Sequence, residues 1–373
     1  MQSNPNKAAA RKAREKRRRR RLRRRNAWRF ALSVLTVLAL VLIGALSAGY
    51  AAFRGPSRTM GDLLTVSMLE TSALKFVPRI YYSKAEVDAI VERNSMAEDN
   101  AETDTSMIVI VRPTPTPLEP EPTPVVVEEV PVTPTPPPEN LIIDEDGIEV
   151  YTVQGGTYMG YMMVVQDPAR VACGTSRDKY NGASGLQLKE IAQRYNAVAA
   201  INGGGFEDDG GLGNGSSPIG LVISEGQLKH TGKDTQFNFT VGFNQDDIMI
   251  ISEMTAEEAK EKGIRDAMTF GPPLVVNGEP VTFKGMGSGL NPRTAIGQRA
   301  DGAVLMLVID GRQSSSYGAT YADLIALMVE YGAVNAINLD GGSSSLMYYK
   351  GQYLNNGVVL TGSRRMPTAF IVR

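Results

Sequence analysis

Apolar and charged positions divide the 373-residue chain into unlike parts. Residues 11–25 read RKAREKRRRRRLRRR, and the stretch that follows, Phe30 to Phe53, has no charged side chain and is rich in Leu, Val and Ala. As a helix this run spans about 36 Å, enough to cross a hydrocarbon layer of about 30 Å. Basic residues beside such a span stay on the cytoplasmic side. Residues 1–29 are therefore expected inside and everything after Phe53 outside, with Trp28 as an interfacial anchor. A cleaved signal peptide is the rival, with Ala48-Gly-Tyr-Ala51 as its small-residue site. The apolar run exceeds the roughly 7–15 residues of a signal core, which favours an uncleaved signal-anchor.

Beyond the span the pattern changes twice. Residues 54–112 mix short apolar stretches with charges. Ser83-Lys-Ala-Glu86 is a capping box ahead of Val87, Ile90 and Val91, and it predicts a short helix near 84–94. This segment offers no chemistry and reads as packing near the membrane or mediating association. Residues 113–139 form a proline-rich linker, PTPTPLEPEPTPVVVEEVPVTPTPPP over 113–138. Proline at that density favours an extended polyproline stalk. At about 3.1 Å per residue it would reach roughly 80 Å.

Residues 140–373 carry the pattern of a folded domain. Short apolar runs predict strands near 159–166, 169–173, 197–202, 219–224, 237–243, 247–252, 273–276, 294–298, 303–310, 334–339 and 367–372. Glu225-Gly226 sits where a hairpin turn would join 219–224 to 227–230. Helices are predicted near 184–195, 255–262 and 320–331, the last closed by Gly332. The expected fold class is α/β, with mixed α+β as the alternative: a glycine-rich mixed sheet with flanking helices.

Charge adds a function class to exclude. Residues 1–29 hold 14 of the 39 Lys and Arg and one of the 40 Asp and Glu, so the rest of the chain is strongly acidic. An acidic domain does not present a broad basic face to nucleic acid. The single cysteine, Cys173, rules out an intrachain disulfide and reads as a small core residue. An exported domain without disulfides suits a bacterial cell surface. His230 is the only histidine, so no multi-histidine metal site exists.

Three segments share one design. Ala197–Ile201 ends in Asn202-Gly203-Gly204-Gly205-Phe206, Ala303–Ile309 ends in Asp310-Gly311-Arg312, and Val334–Leu339 ends in Asp340-Gly341-Gly342-Ser343-Ser344-Ser345. Strand 303–309, helix 320–331 and strand 334–339 form a crossover unit, which usually joins parallel strands. Asp310 and Asp340 then emerge at one sheet edge, where α/β folds bind ligands. Asn202 is expected to join them. A lone Asp-Gly after a strand is also a common turn, but the set of three is harder to read that way. Arg293, Arg312, Arg364 and Arg365 lie nearby in the chain, and an arginine fork suits a phosphate. Other motifs fail. Gly341-Gly-Ser343-Ser-Ser345 lacks the last glycine of a nucleophile elbow, Gly285-Met-Gly287-Ser-Gly289-Leu290 lacks the third glycine of a dinucleotide loop, and no Walker A lysine is present. No cofactor and no metal are expected.

AAINGGGF (199–206), TFGPPLVVNGEPV (269–281), NPRTAIGQ (291–298), the run LVIDGR to LDGGSSSLMY (307–348) and RRMPTAFIV (364–372), in this order, resemble the phosphodiester glycosidase family. One departure is Gly205, where the family usually has a second aromatic before Phe206. The resemblance implies hydrolysis of a sugar 1-phosphodiester to a free sugar and a phosphomonoester. On that reading Asp310, Asp340 and Glu207 are the candidate catalytic carboxylates, and acid, base and nucleophile remain unassigned among them. Arg293, Arg312 and Arg365 would supply positive charge to the phosphate. Asn202, Thr294 and Ser343 would orient sugar hydroxyls or phosphate oxygens, and Gly203, Gly204, Gly341, Gly342 and Ser344 would bring the backbone close to the substrate. The expected partners are a phosphodiester-linked glycan of an envelope polymer or exopolysaccharide and, through residues 30–53, a membrane. The rival functions are a non-catalytic glycan-binding module and a scaffold working through its anchor and the 84–94 helix.

Overall fold

The computed structural model describes residues 5–71, 74–97, 102–112, 138–207, 213–232, 239–355 and 364–373, with side chains from Arg14 onward. The proline-rich stretch falls outside these residues except for its last two. By internal contacts the chain separates into Met1–Asp62 and Leu63–Arg373. The first unit is dominated by one helix, Pro5–Arg54. Its apolar part is long enough to cross a membrane by length and composition, and Phe30, Leu35, Leu40, Val41 and Ile43 along it are exposed.

The second unit combines helices with several sheets. One has eight strands in the order Leu141–Glu145, Ile148–Gln154, Met159–Val165, Val304–Ile309, Arg293–Arg299, Ala333–Leu339, Pro273–Val276, Glu279–Pro280. Two others have five strands each. One is built around Thr240–Asn244 and Ile264–Thr269, the other around Ala199–Asn202 and Thr368–Val372. The strand pairs within these sheets are antiparallel. The mixed architecture expected from sequence is thus of the α+β kind.

The crossover unit is present, with an insertion. Val304–Ile309, the helix Tyr321–Glu330 and Ala333–Leu339 follow one another, and Arg293–Arg299 lies between the two strands, antiparallel to both. The outer strands therefore run the same way and end at one edge. Arg293 is paired with Ile309 and Thr294 with Leu339, which brings Arg293 between Asp310 and Asp340. Val304–Ile309 is buried on both faces, as expected of a continuous apolar run. Val304, Met306 and Val308 pack into a core shared with Val241, Phe243, Met249, Ile201 and Phe370. Leu305, Leu307 and Ile309 pack on the other side against Leu324, Leu327 and Met328 of the helix.

Local signals account for several boundaries. Thr320 caps the crossover helix in a capping box with Asp323, and Gly332 follows it at φ +82°, a left-handed position that glycine adopts at little cost. The Ser83–Glu86 capping box starts the Lys84–Glu92 helix as predicted. Glu225 and Gly226, both at positive φ, form the predicted turn between Leu221–Ser224 and Gln227–Thr231.

Residues 63–112, where described, belong to the folded unit. Leu290 N–H donates to Ser67 Oγ (2.8 Å), Met286 N–H to Asn94 Oδ1 (3.1 Å) and Ile251 N–H to Thr103 Oγ1 (3.1 Å). Ala97 N–H donates to the Thr282 carbonyl and Val109 N–H to that of Ala300. Val66, Val87, Ile90 and Ile108 are buried, each contributing about 1.5–3 kcal/mol of apolar burial. A chain beginning at residue 140 is therefore expected to melt roughly 10 °C or more below one that keeps residues 63–112. Scanning calorimetry of the two checks this, and equal melting temperatures would contradict it.

Candidate active site

The site is built where the strands stop. Asn202, 1% exposed, ends a strand of one sheet and binds the ends of another. Its Nδ2 donates to the Asp340 carbonyl (2.6 Å), and its Oδ1 accepts from Thr294 Oγ1 (2.7 Å) and Leu346 N–H (3.2 Å). Asp340 N–H in turn donates to the Gly203 carbonyl (3.2 Å). Asn202 and Thr294 are thus spent on each other and on the Asp340 backbone. Gly203 and Gly204 serve the same junction: an added Cβ would lie 2.6 Å from Thr368 Oγ1 at Gly203 and 2.7 Å from the Thr269 carbonyl oxygen at Gly204.

In front of this junction lies a cleft of about 710 Å³. Its floor is Asp340, Gly341, Gly342, Ser343 and Ser344, and Phe206, Glu207, Phe270 and Asn338 line it as well. Gly341 admits no side chain, since a Cβ there would meet the Pro292 carbonyl oxygen at 2.9 Å. Gly342 has φ +62°, and its Cβ position lies 3.3 Å from an Arg312 guanidinium nitrogen. The turn therefore presents backbone directly to Arg312.

Three arginines meet here. Arg364 donates to Ser343 Oγ (2.9 Å), and its guanidinium lies 5.0 Å from the centre of the Phe206 ring. Arg312 donates to Asn291 Oδ1 (2.8 Å) and Thr71 Oγ1 (3.2 Å). Arg293, 5% exposed, donates to Glu70 Oε2 (2.6 Å) and to the carbonyls of Gly289 (2.8 Å) and Ala319 (3.2 Å), and it stacks 4.5 Å from the Tyr321 ring centre. Burial opposes the charge on Arg293, but the Glu70 carboxylate more than offsets this and its pKa is raised. Arg312 shifts the other way. It reaches solvent, yet its head is crowded by protein, and burial together with Arg293 and Arg364 lowers its pKa, with Glu70 partly compensating. A bound anion would relieve that repulsion.

Asp340 and Glu207 face the cleft; Asp310 is not among its lining residues. The Asp310 carboxylate accepts from Asn355 Nδ2 (2.9 Å), and Asn355 also holds the Ser345 carbonyl and Met347 N–H. Asp310 thus supports the 340–347 segment from behind. Arg365 turns away, donating to the Gly185 carbonyl (2.9 Å) near Glu190, and its neighbour Arg364 takes the place in the cleft. Glu70 was missed, because nothing in residues 54–112 signals a site and its partners lie more than 200 residues away. Gly205 has the Phe270 ring 3.1 Å from its Cβ position, so an aromatic from a distant part of the chain packs where the resemblance placed one beside Phe206. Among the described residues, no group of three or more His, Cys, Asp or Glu side chains could hold a metal.

Replacing Asn202 with Ala leaves the Thr294 hydroxyl and the Leu346 N–H buried without a partner. This is expected to cost about 2–4 kcal/mol, read as a lower urea midpoint at unchanged slope. A midpoint equal to wild type would contradict the junction's role.

Residues 195–373 match the family described as phosphodiester glycosidase. A Bacillus subtilis (strain 168) protein, the SPbeta prophage-derived uncharacterized protein YomE, is 34% identical over 177 residues, which cover 44% of this chain and 26% of that protein. The chain thus spans about a quarter of that relative's length. Among solved structures, the zebrafish N-acetylglucosamine-1-phosphodiester alpha-N-acetylglucosaminidase catalytic domain, auto-inhibited by its pro-peptide, shares the fold. The TM-score is 0.51 at 18% identity, over 61% of this chain and 82% of that one. Over residues 195–373 the chain is therefore similar to the phosphodiester glycosidase family.

Proposed function

We propose that the protein is a membrane-anchored hydrolase that cleaves sugar 1-phosphodiester linkages in an envelope or exopolysaccharide glycan. The observation that carries this reading is the convergence of Arg312 and Arg364 on the Gly341–Ser343 turn, directly after Asp340. A phosphodiester is a singly charged anion with a weakly basic leaving group. Its departure from the anomeric carbon needs positive charge and N–H donors more than it needs a general acid. Arg312, Arg364 and Ser343 supply charge and hydrogen bonds on one side of the cleft. Phe206, Phe270, Asn338 and Glu207 line the rest, a mixture of apolar faces and polar groups that suits a sugar ring.

Asp340 and Glu207 give the cleft the two carboxylates that a glycosidic displacement uses. One offsets the positive charge that builds on the anomeric carbon while the other handles water. No metal enters this scheme. The helix from Pro5 to Arg54 would act as the signal-anchor. With residues 1–29 in the cytoplasm, the domain would lie outside; because residues 63–112 fold with it, the proline-rich stretch 113–139 joins two parts of the folded unit and does not separate it from the anchor.

The test is turnover of N-acetylglucosamine 1-(methyl phosphate) and its glucose counterpart by the full chain in detergent micelles. Hydrolysis is expected, and Asp340→Asn should lower kcat by about 10³-fold or more. Arg312→Met and Arg364→Met should each cost roughly 10²–10³ in kcat/KM. Binding of these compounds without turnover would mean a glycan-binding module instead.

A further inference from the structure

One wall of the cleft comes from outside the family domain. Val66, Leu69 and Glu70 line it, although the matched region begins at residue 195. Besides its ion pair with Arg293, Glu70 accepts from Asn291 Nδ2 (2.5 Å). A carboxylate can only accept, so Asn291 must turn its amide nitrogen toward Glu70. Its Oδ1 then faces the other way, where Arg312 donates to it (2.8 Å). Thr71, the next residue in the chain, accepts a second bond from the same Arg312 nitrogen (3.2 Å).

We propose that Glu70 and Thr71 are positioning residues of the anion subsite. Glu70 fixes Arg293 and sets the Asn291 amide, and Asn291 with Thr71 aims the Arg312 guanidinium at the Gly341–Ser343 turn. The proposal rests on the reading of this cleft as a phosphodiester site. Two observations favour a positioning role over simple occupation. The cleft keeps its volume of about 710 Å³ with Glu70 in its wall. Arg293 is also committed to the Gly289 and Ala319 carbonyls and the Tyr321 ring, so it serves as a buried brace that needs a counter-charge. With Arg293 neutralised by Glu70, the charge offered to a ligand is that of Arg312 and Arg364. The membrane-proximal segment is then part of the site, and residues 195–373 alone do not complete it.

The experiment titrates inorganic phosphate into the full chain in detergent micelles by calorimetry, for wild type, Glu70→Gln, Glu70→Asp and Thr71→Val. Hydrolysis of N-acetylglucosamine 1-(methyl phosphate) and thermal melting are followed alongside. Glu70→Gln is expected to weaken phosphate binding about tenfold and Thr71→Val about threefold. Glu70→Asp should recover most of the loss, and KM should rise more than kcat falls. Phosphate binding by Glu70→Gln equal to wild type overturns the proposal, and tighter binding overturns it in favour of Glu70 competing for the anion position. Should Glu70→Gln fail to fold, unchanged binding by Thr71→Val overturns it, since that variant leaves the ion pair intact. A wild-type chain that binds no phosphate also overturns it. Phosphate binding that depends on Glu70 without any turnover supports the subsite and sinks the hydrolase reading alone.

Discussion

The junction at Asn202 is the constraint on which the site depends. Two sheets end at the same place, and their last carbonyl and N–H groups would be buried without partners were it not for one amide that serves both. An orphaned polar group there would cost on the order of 1–3 kcal/mol, so the strand ends are held in one arrangement. The segment from Asp340 to Ser344 starts from this fixed point. Asp310 and Asn355 brace it from behind, and glycines at 341 and 342 let it lie against Pro292 and Arg312. The floor of the cleft is held by the buried amides of Asn202 and Asn355, while its working face is polar.

Charge is arranged on top of this frame. Three guanidinium groups within one cleft repel one another, and the depressed pKa of Arg312 reflects that together with its burial. The fold meets the cost unevenly. Arg293 receives a carboxylate, two carbonyls and an aromatic ring, whereas Arg312 bonds to the neutral side chains of Asn291 and Thr71. An environment of this kind is preorganised for an anion, since the donors are oriented before the ligand arrives. The arrangement also explains why a segment with no apparent chemistry matters: residues 66–71 reach the site because the region from Leu63 folds as one unit with the domain.

Much of this was legible in the chain. The three apolar runs that end in Asn202, Asp310 and Asp340 were readable because strands buried on both faces are continuous in sequence. The common edge of Asp310 and Asp340 followed from the length of the crossover, even though Arg293–Arg299 lies between the two outer strands, whereas Asn202 reaches the same place from a different sheet. Other elements were hidden by their polar residues. Ile264–Thr269 carries Arg265 and Asp266, which are largely buried as an ion pair, and the hairpin of Leu141–Glu145 with Ile148–Gln154 turns at Asp146-Gly147 inside an acidic stretch. The choice between Arg364 and Arg365 was a matter of phase. Adjacent residues on a strand point to opposite sides, and nothing local tells which side is the cleft. Glu70 was beyond reach for a different reason, since a pairing with Arg293 across more than 200 residues leaves no periodic trace.

The central claim is that the cleft directs water to the anomeric carbon of a sugar 1-phosphodiester, with the arginines holding the departing phosphate. Hydrolysis of such a diester in 18O-water, with products resolved by mass spectrometry, tests it most directly. The account predicts the label in the free sugar and none in the phosphomonoester. Label in the phosphomonoester would place the attack at phosphorus, make the protein a phosphodiesterase on this fold, and contradict the proposed roles of Asp340 and the arginines.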